Sequence, residues 1–283
     1  MIKEWLGTYT IQNTEDATNA LREIMQEIAL AGLERSGFYE EAAFYRGTAL
    51  RIFYGLNRFS EDLDFSLLKP NDNFSFDKHL KAIENEFEAL NMKVSIQEKQ
   101  KTNASSIESA FLKTDTTWRE IVLENILPQL GLKQRASIKI KLEVDINPPL
   151  AFETEEKLLL KPFSFYVKCF TAPNLFAGKM HALLFRKWKN NVKGRDWFDM
   201  EWYIKKGIPV QLSHFLERAI ESGDWQKDTI SETEFRNLLL IKIENMDLEK
   251  IKADIIRFIP DAKALDIWSV NYFKDIISYL KIV

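Results

Sequence analysis

The segment from 137 to 146, SIKIKLEVDI, constrains the fold of this chain more than any other. Ile138, Ile140, Leu142, Val144 and Ile146 alternate with Ser137, Lys139, Lys141, Glu143 and Asp145. Successive strand side chains point to opposite faces, so this is a strand with five apolar residues on one side and its charges on the other. Asn147-Pro148-Pro149 ends it, because proline has no N–H to give to a ladder. Phe163, Phe165, Val167 and Cys169 repeat the alternation. Such strands require a sheet with one face covered, and with 46% hydrophobic residues in 283 the chain has ample material to cover it.

The cover is helical. Ala17, Leu21, Ile24, Met25, Ile28 and Ala29 recur at helical spacing over 13–34, with Asn13 or Thr14 as cap and Asp16 near the positive end. A Gly47-Thr48 turn, a short helix over 49–54 and a strand carrying Leu63, Phe65 and Leu67 come next. Leu80, Ile83, Phe87 and Leu90 predict another helix, and 92–97 and 109–118 predict strands. Past Thr171 helical patterns dominate, at 173–188, 196–206, 211–221, 232–245, 248–258 and 270–280. The expected class is α+β: a mixed-sheet domain over 1–171 and an α-helical domain over 172–283.

Composition narrows the function classes. With 39 Lys+Arg against 42 Asp+Glu, the net charge of −3 excludes a globally basic nucleic-acid coat but leaves room for a local basic patch. The single cysteine, Cys169, makes neither an internal disulfide nor a thiolate zinc site, fits a reducing compartment and reads as core. His79, His181 and His214 lack metal or triad spacing. No apolar run approaches the roughly 18 residues of a spanning helix, and Met1-Ile2-Lys3-Glu4 starts no signal peptide. A cytoplasmic protein with no membrane partner is expected.

Three stretches carry chemistry. In the first, RGTALR (46–51) precedes RFSEDLDF (58–65). Gly47-Thr48 before a helix offers free N–H groups and a hydroxyl to a phosphate. Asp62 and Asp64, two apart, project from one strand face, where hard Mg²⁺ relieves their repulsion; a solvated acidic face is the alternative. In the second, Glu143 and Asp145 share the polar face of the strongest strand, and either could complete a three-carboxylate site for two metal ions, Asp145 being nearer the strand end. A charge-protected edge strand is the alternative there. The third runs from Lys179 to Asp199. Lys179, Arg186, Lys187, Lys189, Lys193 and Arg195 precede Asp196, which caps a helix or serves a site, while the basic residues line a solvated helix face or contact phosphates. Trp188, Trp197 and Trp202 read as core.

Together these stretches resemble the AbiEii/AbiGii toxin family of nucleotidyltransferases, a branch of the DNA polymerase β-like superfamily, over roughly 44–203. The resemblance implies a palm-like mixed β-sheet nucleotidyltransferase core and an α-helical C-terminal unit that contributes to the active site. It implies that Gly47 and Thr48 hold nucleotide phosphates, that Asp62 and Asp64 bind metal, and that Lys179 and Asp196 are required for catalysis. With these we place Asp145 among the metal ligands, count Asp62, Asp64 and Asp145 as catalytic, and add Arg58, Ser60 and Lys179 to the nucleotide-binding residues. Arg46 stands where relatives commonly have a second glycine. The expected activity is transfer of an NMP from an NTP, with Mg²⁺ or Mn²⁺, to RNA. The resemblance favours tRNA as that RNA, and Arg186, Lys187, Lys189, Lys193 and Arg195 are the candidate RNA-binding residues. It also implies the toxin of a bacterial toxin–antitoxin or phage-defence pair, with an antitoxin as partner. Two alternatives stay open: a protein or small-molecule acceptor, and a nucleotide-binding module without catalysis.

Overall fold

The computed structural model describes residues 2–97, 116–123, 138–186 and 193–283. The chain divides into two compact units. The first comprises Met1–Thr48, Ser60–Pro148 and Glu155–Cys169, and the second Ala49–Phe59, Pro149–Thr154 and Phe170–Val283.

In the first unit the described strands form one mixed sheet. They are β1 (Ala42–Tyr45), β2 (Leu63–Leu67), β3 (Val94–Gln97), β4 (Thr116–Leu123), β5 (Ile138–Asp145), β6 (Thr154–Leu159) and β7 (Phe165–Phe170), in the order β3-β4-β5-β2-β1-β7-β6. β2 runs antiparallel to β1 and parallel to β5, while β4 is antiparallel to both β3 and β5. In β5 the alternation is realised as read: Ile138, Ile140, Leu142 and Val144 are buried and Lys139 is exposed. The expected strand over 109–118 lies outside the described residues except at its end, where β4 begins at Thr116.

Helix α1 (Ile2–Leu6) precedes α2 (Thr14–Arg35), which is capped as the sequence predicts, the Asn13 side chain accepting from the Asp16 N–H. The apolar face of α2 packs on α4 (Asp77–Ala89) and on β5. A Cβ on Gly32 would lie 2.5 Å from Ile83 Cα, so only glycine lets the backbones of α2 and α4 come this close. Between them in sequence lies α3 (Arg46–Tyr54). The expected Gly-Thr turn is therefore the first turn of a helix, not a loop ahead of it. The left-handed residue there is Arg46, at φ 66°.

The second unit is built from α5 (Ala172–Phe185), α6 (Gly194–Lys205), α7 (Leu212–Glu221), α8 (Glu232–Glu244), α9 (Leu248–Ile255) and α10 (Val270–Ile276). Pro173 starts α5, where its missing N–H costs nothing. α8 opens with a capping box between Ser231 and Glu234. The helix expected over 173–188 stops sooner, Arg186 being extended at φ −62° and ψ 122°, and Trp188 lies outside the described residues. Trp197 and Cys169 are core residues, as read, whereas Trp202 is half-buried.

His214, on α7, is buried and sits edge-on to Phe152 and Phe170, with Nδ1 3.3 Å from the Leu150 carbonyl. Burial, reinforced by the nearby Arg218 charge, pushes its pKa down to about 3. The native ring stays neutral while the unfolded chain takes a proton near pH 6.5, so this contribution is complete above pH 6.5 and shrinks as pH falls toward 3. At about 1.4 kcal/mol per pH unit, roughly 2–3 kcal/mol is lost by pH 4.5. Melting temperatures of wild type and His214→Gln between pH 7 and 4.5 should converge on acidification. Parallel pH profiles would contradict this account.

Candidate active site

The parallel register of β2 on β5 builds the first cluster. Asp64 lies directly across from Glu143, and Ser66 across from Asp145. Paired residues of neighbouring strands project to the same face, so Asp64, Glu143 and Asp145 share one side of the sheet. Asp62 sits one residue before β2, close enough for its charge to act on Asp64. Glu143, not Asp145, is thus the immediate neighbour of Asp64, while Asp145 is buried at the end of β5.

A cation lies between the two neighbours. Arg46 Nη1 donates to Asp64 Oδ1 at 2.6 Å and to Glu143 Oε2 at 3.2 Å. Its guanidinium also lies over the Tyr45 ring, 4.8 Å from the centroid. Lys141 Nζ donates to the other Glu143 oxygen. Burial, helped by the Glu143 and Asp62 charges and opposed by Arg46, raises the Asp64 pKa to about 7. Burial works on Glu143 in the same direction, but Lys141 and Arg46 outweigh it and hold that carboxyl below its usual value. The left-handed backbone of Arg46 is where glycine is free and another residue costs about 1–2 kcal/mol. That is the physical reason a glycine suits this position.

Thr48 is fully buried and serves the chain itself. Its hydroxyl donates to the Asp62 carbonyl, and the Ser60 hydroxyl lies 2.9 Å away. Gln26 Nε2 donates to the Ser60 carbonyl at 3.1 Å. Thr48 and Gln26 therefore hold the segment that delivers Asp62 and Asp64. The Thr48 hydroxyl expected on a phosphate is engaged here, because the short 60–62 connection has half-buried carbonyls that need partners.

These carboxylate oxygens are donors of the kind a hard divalent cation takes, and in this structure one guanidinium nitrogen bridges two of them. Among the described residues no three His, Cys, Asp or Glu side chains close around one point. The ready-made unit is the pair Asp64 and Glu143.

The second cluster lies in the helical unit. Arg58 Nε and Nη2 donate to Asp199 Oδ1 and Oδ2 at 2.6 and 2.7 Å, a two-pronged pair buried at 2% and 0% exposure. Arg58 Nη1 donates to the Phe59 carbonyl. The arginine expected to bind nucleotide is a buried partner of α6, with three of its five N–H groups donating to Asp199 and the Phe59 carbonyl. Lys179, on α5, contacts Asp199 Oδ2 and Asp196 Oδ1, both at 2.8 Å. Burial alone would raise the Asp199 pKa, but Arg58 and Lys179 hold it below the ordinary carboxylate range. Asp196 is not the cap of α6: Lys193 occupies that position, and the Gly194 N–H donates to Asp254 instead. The pairing of Asp199 with Arg58 has no local signal in the sequence, because 141 residues separate the two.

Of the basic residues, Arg186 ends α5 and Lys193 precedes α6, and both line a cleft of about 280 Å³ with Ala182, Leu183, Asp196 and Lys242. Arg195 stacks on Phe258, 4.3 Å from the ring centroid. Lys187 and Lys189 lie outside the described residues.

Over residues 28–276 the chain matches the family described as nucleotidyl transferase AbiEii toxin, Type IV TA system. No curated protein sequence matches it. Among solved structures it is similar to MenT4, a nucleotidyltransferase toxin from Mycobacterium tuberculosis H37Rv, with 12% identity, a TM-score of 0.50 and 99% of each chain covered. It is also similar to JHP933 from Helicobacter pylori, with 16% identity, a TM-score of 0.48, and 92% of this chain and 88% of that one covered. At 12% identity the likeness to MenT4 is one of fold: a mixed-sheet nucleotidyltransferase core with an α-helical C-terminal part. With a match spanning most of its length, the chain belongs to the AbiEii family of nucleotidyltransferase toxins of type IV toxin–antitoxin systems.

Proposed function

We propose that this toxin transfers an NMP from an NTP to RNA, with tRNA as the acceptor, in a reaction that requires Mg²⁺ or Mn²⁺. The observation that carries the metal requirement is the Asp64–Glu143 pair, two adjacent carboxylates on one sheet face bridged by a positive charge. Asp62, Asp64 and one of Glu143 and Asp145 are the proposed ligands, and the bound cations would offset charge on the attacking and leaving oxygens. Gly47, in the first turn of α3, is proposed to present its backbone N–H to the triphosphate, as helix N-termini do. Thr48 and Ser60 then act by holding the carboxylate segment. Lys179 and Asp196 are the proposed catalytic pair of the helical unit, Lys179 supplying positive charge and Asp196 fixing its ammonium.

RNA as acceptor is supported by the basic residues Arg186, Lys193 and Arg195 around the α5–α6 junction, in a protein whose net charge is −3. Such a reaction belongs in the cytoplasm, where NTPs and tRNA are found, and a cognate antitoxin would restrain it in a toxin–antitoxin or phage-defence setting. No helix among the described residues is long and apolar enough to cross a membrane.

The test is incubation with each labelled NTP, Mg²⁺ and total RNA, with sequencing of the labelled ends. Label should enter RNA of tRNA size and be abolished by EDTA. Label on protein, or transfer unaffected by EDTA, would overturn the acceptor or the metal requirement respectively.

A further inference from the structure

We propose that Arg46 is a built-in counter-ion for the metal-binding carboxylates, and that it must leave Asp64 and Glu143 for a divalent cation to enter. The inference rests on the proposed role of these carboxylates and assigns a function to a residue that role does not use. One nitrogen of Arg46 contacts both carboxylates, at 2.6 and 3.2 Å, so it neutralises the same two charges that would draw a divalent cation. A guanidinium there and a metal bound to the same oxygens exclude each other by volume and by charge.

The surroundings favour an exchangeable position over a permanent one. The Asp64 and Glu143 side chains are 10% and 20% exposed, whereas that of Arg46 is 35% exposed and is thus the most solvent-accessible of the three. Its backbone is left-handed, a conformation arginine adopts only when something holds it, and the two carboxylates and the Tyr45 ring supply that hold. Arg58 presents the contrast: buried and doubly bonded to Asp199, it has the geometry of a permanent partner. Lys141 donates to Glu143 Oε1, while Arg46 donates to Oε2. Arg46 is thus a positioning residue. It keeps two adjacent acids together without metal and sets the cation concentration at which the site fills.

The experiment measures Mn²⁺ binding directly, by the loss of free-ion electron paramagnetic resonance signal, in wild type, Arg46→Gly and Arg46→Gln. Circular dichroism checks that each is folded. Glycine removes the charge and the backbone strain together, while glutamine removes the charge and keeps the left-handed backbone occupied by a side chain. Both variants should bind Mn²⁺ at least about tenfold more tightly than wild type, since a unit charge about 3 Å from the ligands no longer competes. Mn²⁺ should also raise the melting temperature of both variants more than that of wild type. Wild-type binding with unchanged or weaker affinity in the folded variants overturns the inference and leaves the metal site standing. Tightening in Arg46→Gly alone overturns it too, since backbone relief and not charge would then be the cause. Absence of Mn²⁺ binding in all three proteins removes the metal site and the inference with it.

Discussion

Asp64→Asn should lower NMP transfer by about 10³-fold or more while leaving the fold intact. The substitution keeps the shape of the side chain and an oxygen for Arg46, but removes the negative charge that would hold a divalent cation beside Glu143. Loss of several kcal/mol of metal-derived transition-state stabilisation, at 1.36 kcal/mol per decade, gives that magnitude. Stability should change little or rise, because burial and the neighbouring acids already work against the Asp64 charge in the metal-free protein. Turnover with saturating Mg²⁺, read beside a thermal melt, decides the matter. A variant within tenfold of wild type would take Asp64 out of the chemistry.

The second large effect concerns stability. Asp199→Ala strands the Arg58 guanidinium, 2% exposed, without its carboxylate, and takes one of two acids from Lys179. Breaking a buried pair from one side costs about 3–5 kcal/mol. For a chain of this size that is a fall in melting temperature of roughly 10 °C. Replacing both partners, Arg58→Met with Asp199→Leu, should recover much of the loss, because no charge is then buried alone. The depressed pKa of Asp199 sets the sign with pH: its contribution is present above the unfolded carboxylate value of 3.8 and is lost as pH falls through the lower folded value. A melting temperature within 2 °C of wild type in Asp199→Ala would show that the pair is not structural.

The two variants separate the roles of the acids. Asp64 has one cation, Arg46, but burial and the Glu143 and Asp62 charges outweigh it, the pattern expected of an acid kept for a site and not for stability. Asp199 is surrounded by cations and stays ionised, so it belongs to the fold. Both are acids paired with an arginine, and in neither case does a local pattern in the chain mark the pair. Asp64 is 18 residues from Arg46, whereas Asp199 is 141 residues from Arg58.

The amino-acid order by itself determined the features that depend on local periodicity. The β5 alternation, the Asn13 cap of α2 and the run of helices after Thr171 were legible, because side-chain direction repeats every 2.0 or 3.6 residues whatever lies elsewhere. The family was legible as well, through the order of its short motifs. Tertiary structure decided which charges meet. The parallel register of β2 on β5 put Glu143, rather than Asp145, across from Asp64, and a slip of one residue in β5 would have turned Glu143 and Asp145 to the face away from Asp64. Folding brought the Arg46 guanidinium to two carboxylates 18 and 97 residues away, and packing in the helical unit brought Asp199 to Arg58. Pairing between distant residues depends on register and packing, and neither leaves a local pattern in the chain.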